Sequence, residues 1–181
     1  MDDKYLKKAI DEISSSELIE ISQIPDIALY MDQITTFFED KLKSTKRTEN
    51  DKILTKTMIN NYTKSELIEP PLKKKYSKNH ILSLIIIYHL KSLISINDIN
   101  KIFENSKNSI ELLYENFLEI QKRDYAAFNT EISEQISKIA DKCPNDKTAV
   151  CSIILLLINQ ANMRKQLAEK LIDYYFSEGE E

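Results

Sequence analysis

Positive charge is concentrated in one segment of the chain, between Lys41 and Lys91, where it suits a polyanionic partner. This segment carries twelve lysines and arginines against four acidic residues, so its net charge is +8. The remaining residues carry 13 basic and 25 acidic side chains, a net charge of −12. A basic surface on an otherwise acidic protein attracts nucleic acid or an acidic protein partner. The sequence therefore predicts a localised polyanion-binding surface.

The polar residues of this segment offer two kinds of contact to double-stranded DNA. A predicted helix begins beside Thr55, and its polar side carries hydroxyl, amide and ammonium groups. The free amides at the start of a helix favour a phosphate. A run of lysines behind Pro70 and Pro71 can reach across a DNA backbone or into a narrow minor groove. We therefore predict DNA contacts by Thr55, Lys56, Thr57, Asn60, Asn61, Lys64, Lys73, Lys74, Lys75 and Tyr76.

The chemistry of these side chains divides them into base-reading and phosphate-binding groups. An asparagine amide can pair with adenine in the major groove, so Asn60 or Asn61 is expected to read bases. Lysine more often binds phosphate, and we expect Lys74, Lys75 and Tyr76 to do so.

The same residues also fit simpler interpretations. The three lysines could form a solvated face, and the two asparagines could belong to an ordinary exposed helix surface. The main alternative function is a helical protein–protein interaction module that docks an acidic partner through the basic segment. DNA binding predicts a preference among duplex sequences, whereas docking of an acidic partner predicts none.

Helices are expected to position these groups, because the chain contains only one glycine, Gly179, and four prolines. Without glycine, a folded body has no residue that adopts positive φ at low cost. Tight hairpins, phosphate-binding glycine loops and nucleophile elbows are therefore disfavoured. Leucine, isoleucine, lysine, glutamate and asparagine dominate the composition, and the chain is therefore expected to form long helices joined by polar turns.

Apolar periodicity and capping residues place the helices. The second predicted helix opens at Pro25 and runs to Leu42, and a mobile polar linker follows it. The pattern predicts one helix before it, at 4–13, and two after it, from Thr55 to the stop at Pro70 and Pro71 and from Lys78 to about Leu93. Another helix is expected to start at the capping box of Ser95 and Asp98. Residues 107–142 are expected to form one helix or two, and a final helix starts at Asp146.

The basic segment resembles a MerR-type winged helix-turn-helix over about residues 53 to 103. The resemblance is carried by Thr55 to Tyr62, Leu67-Ile68, Pro70-Pro71, Lys73 to Ser77, and Leu93 to Ile96 with Ile99. MerR-like proteins usually have arginine at the place of Asn60 and glycine at the places of Glu66 and Leu93. Through its Leu-Tyr-Met-Asp and Lys-Thr-Met-Ile-Asn-Asn-Tyr elements, the whole chain also resembles an uncharacterised bacterial family of domains of unknown function.

The MerR resemblance implies an all-α fold, with a winged helix-turn-helix followed by a helical dimerisation or sensing module. We expect an N-terminal part at 1–104 and a C-terminal part at 105–181. The implied function is sequence-specific DNA binding by a transcription regulator. A single recognition helix reads few base pairs, so a homodimer through the C-terminal helices is expected.

No catalytic motif supports an enzyme, and we predict neither a cofactor nor a metal site. Cys143 and Cys151 bracket a loop similar to that of MerR-like copper sensors, but a reduced, buried pair of thiols is the favoured interpretation. His80 and His89 are interpreted as surface or boundary histidines. The longest apolar run is nine residues, against about 20 for a membrane span, and the N-terminus is charged, so we predict a cytoplasmic protein.

Overall fold

The computed structural model describes residues 3–14, 18–106, 109–143 and 145–176, which are mostly helical. Pro144 and Gly179 lie outside these residues. In chain order the elements are α1 (Asp3–Ser14), β1 (Leu29–Tyr30), α2 (Met31–Leu42), α3 (Lys56–Lys64), β2 (Lys75–Tyr76), α4 (Lys78–Leu90), α5 (Ile96–Glu104), α6 (Ile110–Ala140) and α7 (Asp146–Phe176).

The chain divides into two compact units. Unit 1 comprises Met1–Ser16 and Glu119–Ala168. Unit 2 comprises Glu17–Leu118 and Glu169–Glu181, and it contains the whole basic segment. The division passes through α6 and α7.

The core of unit 2 forms around α4, whose apolar side chains are buried in nearly every direction. Its buried residues are Ile81, Leu82, Leu84, Ile85, Ile86 and Ile87. Ile34 and Phe38 of α2 and Ile59 of α3 belong to the same core. A helix that is apolar all round belongs in the centre of a domain, and this one supports the elements that carry the basic residues.

The second predicted helix starts six residues later than the sequence indicated, at Met31 instead of Pro25. Leu29 and Tyr30 form β1, which pairs antiparallel with β2. The backbone N–H of Tyr30 then donates to the Gln33 side chain at 2.8 Å, which closes the start of α2. Strand pairing and this cap together fix the helix boundary.

A tight turn precedes β2, although the absence of glycine was expected to disfavour one. Leu72 and Lys75 form an antiparallel bridge, and the Lys75 N–H donates to the Leu72 carbonyl at 2.9 Å. The two residues between them, Lys73 and Lys74, have φ values of 51° and 62°. Positive φ at both central positions is the pattern of a type I′ turn, so the expectation was wrong here.

The linker between α2 and α3 forms ordered contacts, where the sequence predicted a mobile loop. Its first residues, Lys43–Thr45, form a short 3-10 helix. The Asp51 carboxylate accepts hydrogen bonds from the backbone N–H groups of Arg47 and Thr48, both at 3.0 Å. The Thr48 hydroxyl also donates to this carboxylate at 2.8 Å, and this bond, followed by the one from the Thr48 N–H, lowers the pKa of Asp51. The Lys91 ammonium also donates to the Ile53 carbonyl at 2.7 Å, which ties the linker to the end of α4.

Unit 1 has a smaller apolar cluster, in which Ile132 and Ile136 of α6 pack with Ile153 of α7. α6 runs from Ile110 to Ala140 as one helix. The Thr148 N–H at the start of α7 donates to the Asn145 side chain at 3.0 Å, so the cap is Asn145 instead of Asp146. No helix in the described part of the chain combines the length and apolarity that a membrane span requires.

Candidate nucleic-acid interface

α3 presents a polar stripe to solvent. Thr55 caps the helix, since its hydroxyl oxygen accepts from the Met58 N–H at 3.2 Å, while Ile59 and Tyr62 are buried. The exposed residues of the helix are Lys56, Thr57, Asn60, Asn61 and Lys64. At about 100° per residue, these five positions fall within an arc of about 140°. The predicted contact residues of α3 therefore share one exposed side.

Most side chains of this stripe have no competing partner. In the described part of the chain, the side chains of Thr57, Asn60, Asn61 and Lys64 make no hydrogen bond or ion pair. Lys56 differs, because its ammonium pairs with the Asp32 carboxylate in the first turn of α2. Two amides, one hydroxyl and one ammonium are thus available to a ligand.

The turn before β2 carries the second group of predicted contacts. Lys73 and Lys74 are exposed at its tip, and among the described residues neither ammonium has an ion pair or a hydrogen bond. Lys75 is held differently, because its ammonium lies 5.0 Å from the centre of the Tyr30 ring. A cation above an aromatic face is attracted to the ring. The tip therefore offers two available positive charges, and Lys75 also packs on Tyr30.

Lysine at the tip is unfavourable for the backbone. A residue with a Cβ in the left-handed region costs roughly 1–2 kcal/mol, and Asn-Gly is the usual pair in this type of turn. Lys73 and Lys74 occupy that region without such compensation. A backbone outlier of this kind supports a functional role for the side chains that it carries.

The start of α2 connects the two groups of residues. Tyr30, which precedes α2, lies below the Lys75 ammonium and pairs with Lys75 in the sheet. Asp32, in the first turn of α2, pairs with Lys56 at the start of α3. The turn and the first turn of α3 are therefore linked through neighbouring residues at the start of one helix.

Tyr76 is placed differently from the residues around it. Its side chain is only 3% exposed, and burial raises the pKa of its phenol. The ring packs edge-on against His80, with the ring centres 5.5 Å apart. Because its side chain is buried and its ring packs inside the protein, we leave Tyr76 out of the candidate interface.

His80 is the residue at this site whose role the sequence did not reveal. Its Nδ1 accepts from the Ser77 N–H at 3.0 Å, and its Nε2 donates to the Glu69 carbonyl at 3.0 Å. This arrangement requires the neutral ring with the proton on Nε2. His80 therefore connects the residues after α3 with the start of α4. A histidine three residues after a helix-capping serine was the available signal.

The remaining histidine and the two cysteines belong to other parts of the chain than this interface. Burial lowers the pKa of His89, and its ring centre is 5.4 Å from that of Phe117. Cys143 is half-buried and Cys151 is exposed, both as free thiols, so the prediction that Cys151 is buried was wrong. No cluster of three or more metal-ligating residues occurs among the described residues.

Comparison with known proteins gives a family but no activity. Neither a curated protein nor a solved structure matches the chain significantly. The model of one family, described as a domain of unknown function (DUF1836), matches residues 19–123. The match spans more than half of the 181 residues and includes α2 to α5 with both groups of basic residues. The chain therefore belongs to this family, DUF1836.

Proposed function

We propose that this protein is a cytoplasmic, sequence-specific DNA-binding transcription regulator with a MerR-like winged helix-turn-helix. In this proposal α2 and α3 form the helix-turn-helix, and the turn with β2 forms the wing. The observation that carries it is the pair of lysines Lys73 and Lys74, which have no partner among the described residues and are held in a costly turn. That turn is linked through the start of α2 to α3, whose polar stripe is mostly unpartnered among the described residues.

α3 is the proposed recognition helix. Its exposed stripe fits the major groove, which is about 12 Å wide and admits an α-helix. Asn60 and Asn61 supply the amides that can pair with adenine, and Thr57 and Lys64 supply phosphate contacts. Ile59 and Tyr62 attach the opposite side of the helix to the core, which would hold its register on DNA.

The wing is proposed to bind the DNA backbone. Two ammonium groups at the tip of a short hairpin can contact phosphates or enter a narrow minor groove, where the potential is most negative. Because Lys75 is held on Tyr30, we assign it a supporting role at the base of the wing. Lys56, paired with Asp32, would contribute less than Lys64.

A homodimer through the C-terminal helices completes the proposal. Large apolar side chains on α7 are more than one third exposed, namely Val150, Ile154, Leu155, Leu157, Ile158, Met163, Leu167 and Leu171. Such a concentration is unusual on a monomer surface. Two copies would also supply two recognition helices for two half-sites. Sedimentation of the wild type and of the Leu155→Glu/Ile158→Glu variant tests this part, since only the wild type should be a dimer.

Selection against a random duplex library at two salt concentrations tests DNA binding itself. The wild type should enrich a palindromic motif, and its affinity should fall with salt by about 0.9 log units per log unit for each phosphate contact. Lys73→Ala/Lys74→Ala/Lys75→Ala should bind more weakly. A matched control, Lys138→Ala/Lys142→Ala/Lys147→Ala, removes the same charge from exposed sites in unit 1 and should bind normally.

The possible outcomes separate the two candidate functions. Equal weakening by both triple variants would mean that net charge alone attracts the duplex. Binding without enrichment of any motif would favour an acidic protein partner instead. Absence of retardation near physiological salt would refute the DNA-binding proposal.

A further inference from the structure

A cavity of about 360 Å³ opens in unit 2 beside the end of α3. Its walls come from the turn that follows α3, from the first turns of α4, from α5 and from the start of α6. Pockets for small organic molecules usually measure about 300–1,000 Å³, so this cavity suits a small ligand. It is separate from the exposed stripe of α3 and from the tip of the turn.

The inner wall of the cavity is apolar. Leu67, Ile68 and Phe103 are buried core residues that also line it, and Ile110 is half-buried. An apolar wall with one aromatic ring favours a hydrocarbon or aryl group.

The outer wall of the cavity carries negative charge. Glu66 and Glu69 line it, and within the described residues neither carboxylate makes a hydrogen bond or ion pair. Among the described residues, no lysine or arginine lines the cavity. His80 is neutral there, because its Nδ1 accepts the Ser77 N–H. A ligand with a positive charge would therefore complement this side.

Two further polar groups are available inside the cavity. The Asn79 amide and the Ser83 hydroxyl line it, and neither has a hydrogen bond among the described residues. Ser83 is half-buried, so a ligand that reaches it is largely removed from water. A few polar groups around an apolar wall are typical of a specific small-molecule site.

We propose that this cavity binds a small amphipathic organic cation, with an ammonium group at Glu66 and Glu69 and an apolar group against Phe103. Glu66 belongs to the turn that ends α3, so the ligand would change how that helix is held. This regulatory consequence depends on the proposed DNA binding, whereas the binding of the cation does not.

Titration of the full chain with three probes of similar size tests the site. The probes are phenethylammonium, neutral 2-phenylethanol and anionic 3-phenylpropionate, followed by calorimetry and by amide NMR shifts at Ser83 and Phe103. We expect the cation to bind about fivefold more tightly than the alcohol, since two partly solvated carboxylates each contribute modestly. The anion should bind most weakly. Equal affinity for all three probes, or no shift at those amides, would overturn the proposal.

Two variants test the two walls independently. Glu66→Gln/Glu69→Gln should remove the preference for the cation, whereas Glu115→Gln/Glu119→Gln, which neutralises two exposed carboxylates on α6, should retain it. Ser83→Leu should fill the cavity and weaken all probes that bind. Unchanged binding in both site variants would refute the site. If the amide NMR shifts at Ser83 and Phe103 depend on protein concentration and not on added amine, a second copy of the chain fills the cavity, which also refutes the proposal.

A final measurement distinguishes this inference from the proposed function. Saturating phenethylammonium should change the affinity of the wild type for its selected duplex, and Ser83→Leu should abolish that change. If the amine binds but no duplex does, the proposed function fails and the cation site stands. If the duplex binds but the amine does not, only the cation site fails.

Discussion

Two turns of unit 2, seven residues apart, use left-handed backbone without glycine but carry opposite charges. Glu66, with φ at 59°, follows α3, and Lys73 and Lys74 form the tip before β2. Both turns accept a backbone cost that glycine would remove. Their surroundings differ, because the Glu66 carboxylate lines a cavity, whereas the ammonium groups of Lys73 and Lys74 are exposed to solvent.

The turn at Glu66 is a Schellman motif. The Leu67 N–H donates to the Tyr62 carbonyl at 2.9 Å, and the Glu66 N–H donates to the Thr63 carbonyl at 3.2 Å. Glycine is the usual residue at this position. The geometry is therefore fixed by the end of the helix, and the choice of glutamate adds a negative charge without aiding the turn.

At both turns a charged residue occupies a backbone conformation that suits glycine better. At the hairpin tip the charge suits phosphate, and beside the cavity it suits a cation. Substitutions by residues that adopt positive φ more easily should therefore stabilise the protein and weaken ligand binding. The ligand whose binding is weakened should differ between the two turns.

Loss of the contact between the two turns should have the largest effect. His80 donates to the Glu69 carbonyl near the first turn and packs on Tyr76 after the second. His80→Ala removes the hydrogen bonding of the ring to Ser77, its bond to the Glu69 carbonyl and its aromatic contact. Each of these three contributions is worth about 1 kcal/mol, so the free energy of unfolding should fall by about 3 kcal/mol. Urea denaturation measures this loss.

A glutamine variant separates the two bonds of His80. In His80→Gln the side chain can still accept the Ser77 N–H, as glutamine does in a capping box, so about 1 kcal/mol should be recovered. A loss in His80→Ala below about 0.5 kcal/mol would show that the two turns are not coupled through this ring, since that is the range of neutral surface substitutions.

Replacement of the tip lysines should change stability and DNA affinity in opposite directions. Lys73→Asn/Lys74→Gly supplies the preferred turn residues, so the free energy of unfolding should rise by about 1–2 kcal/mol. Loss of two phosphate contacts should lower the salt slope of DNA binding by about 1.8. Denaturation and duplex titration at several salt concentrations measure the two effects.

Alanine at the same positions is the control for this exchange. Lys73→Ala/Lys74→Ala should weaken DNA binding to the same extent without the gain in stability, because alanine is no better than lysine at positive φ. A variant with Asn-Gly that binds DNA as tightly as the wild type would show that the charge at the tip has no role.

Local signals in the sequence sufficed for the starts of α3 and α5, although α3 ends at Lys64, before the predicted stop at Pro70 and Pro71. Thr55 precedes a helix whose apolar residues recur at the spacing of one buried side, and the structure confirms both. The capping box of Ser95 and Asp98 is likewise present, with the Asp98 N–H donating to the Ser95 hydroxyl at 3.1 Å. Caps and periodicity act within a few residues, which is why they can be read from sequence.

The strands and the burial of Tyr76 depend on contacts that are distant in sequence. Leu29 pairs with Tyr76, 47 residues later, in strands of only two residues each. Neither strand has enough residues to show an alternating pattern. Lysine also gives no signal for a turn with positive φ. The hairpin, the start of α2 and the interior position of Tyr76 therefore followed only from the structure.

Glycine at the first turn should stabilise the protein more modestly. Glu66→Gly removes the backbone cost at one residue, so the free energy of unfolding should rise by about 1 kcal/mol. DNA affinity should stay within error, while the affinity for phenethylammonium should fall. Glu66→Ala should lower the affinity for phenethylammonium to the same extent without the gain in stability. If Glu66→Gly also lowered the affinity for DNA, the two turns would contribute to binding of the same ligand, and the contrast between them would be wrong.

The two histidines of α4 are held in different ways, and this difference predicts how the stability of unit 2 depends on pH. His80 has hydrogen-bond partners between the turns, whereas His89, near the other end of the helix, is held by burial against Phe117. Burial lowers the pKa of His89, because the charged form is poorly solvated there. As the pH falls below the ordinary value of about 6.5, the unfolded chain takes up a proton at this residue while the folded chain does not. Stability from His89 is therefore complete above that pH and decreases below it, until the folded-state pKa is reached.

The expected slope is at most about 1.4 kcal/mol per pH unit, the limit for one proton. Urea denaturation of the wild type and of His89→Gln at several pH values between about 7.5 and 5.5 should show a steeper acid loss in the wild type. The variant retains His80 and all carboxylates, so the difference between the slopes belongs to His89. Equal slopes would mean that solvent reaches the ring, and the acid sensitivity of unit 2 would then have to arise at residues other than His89.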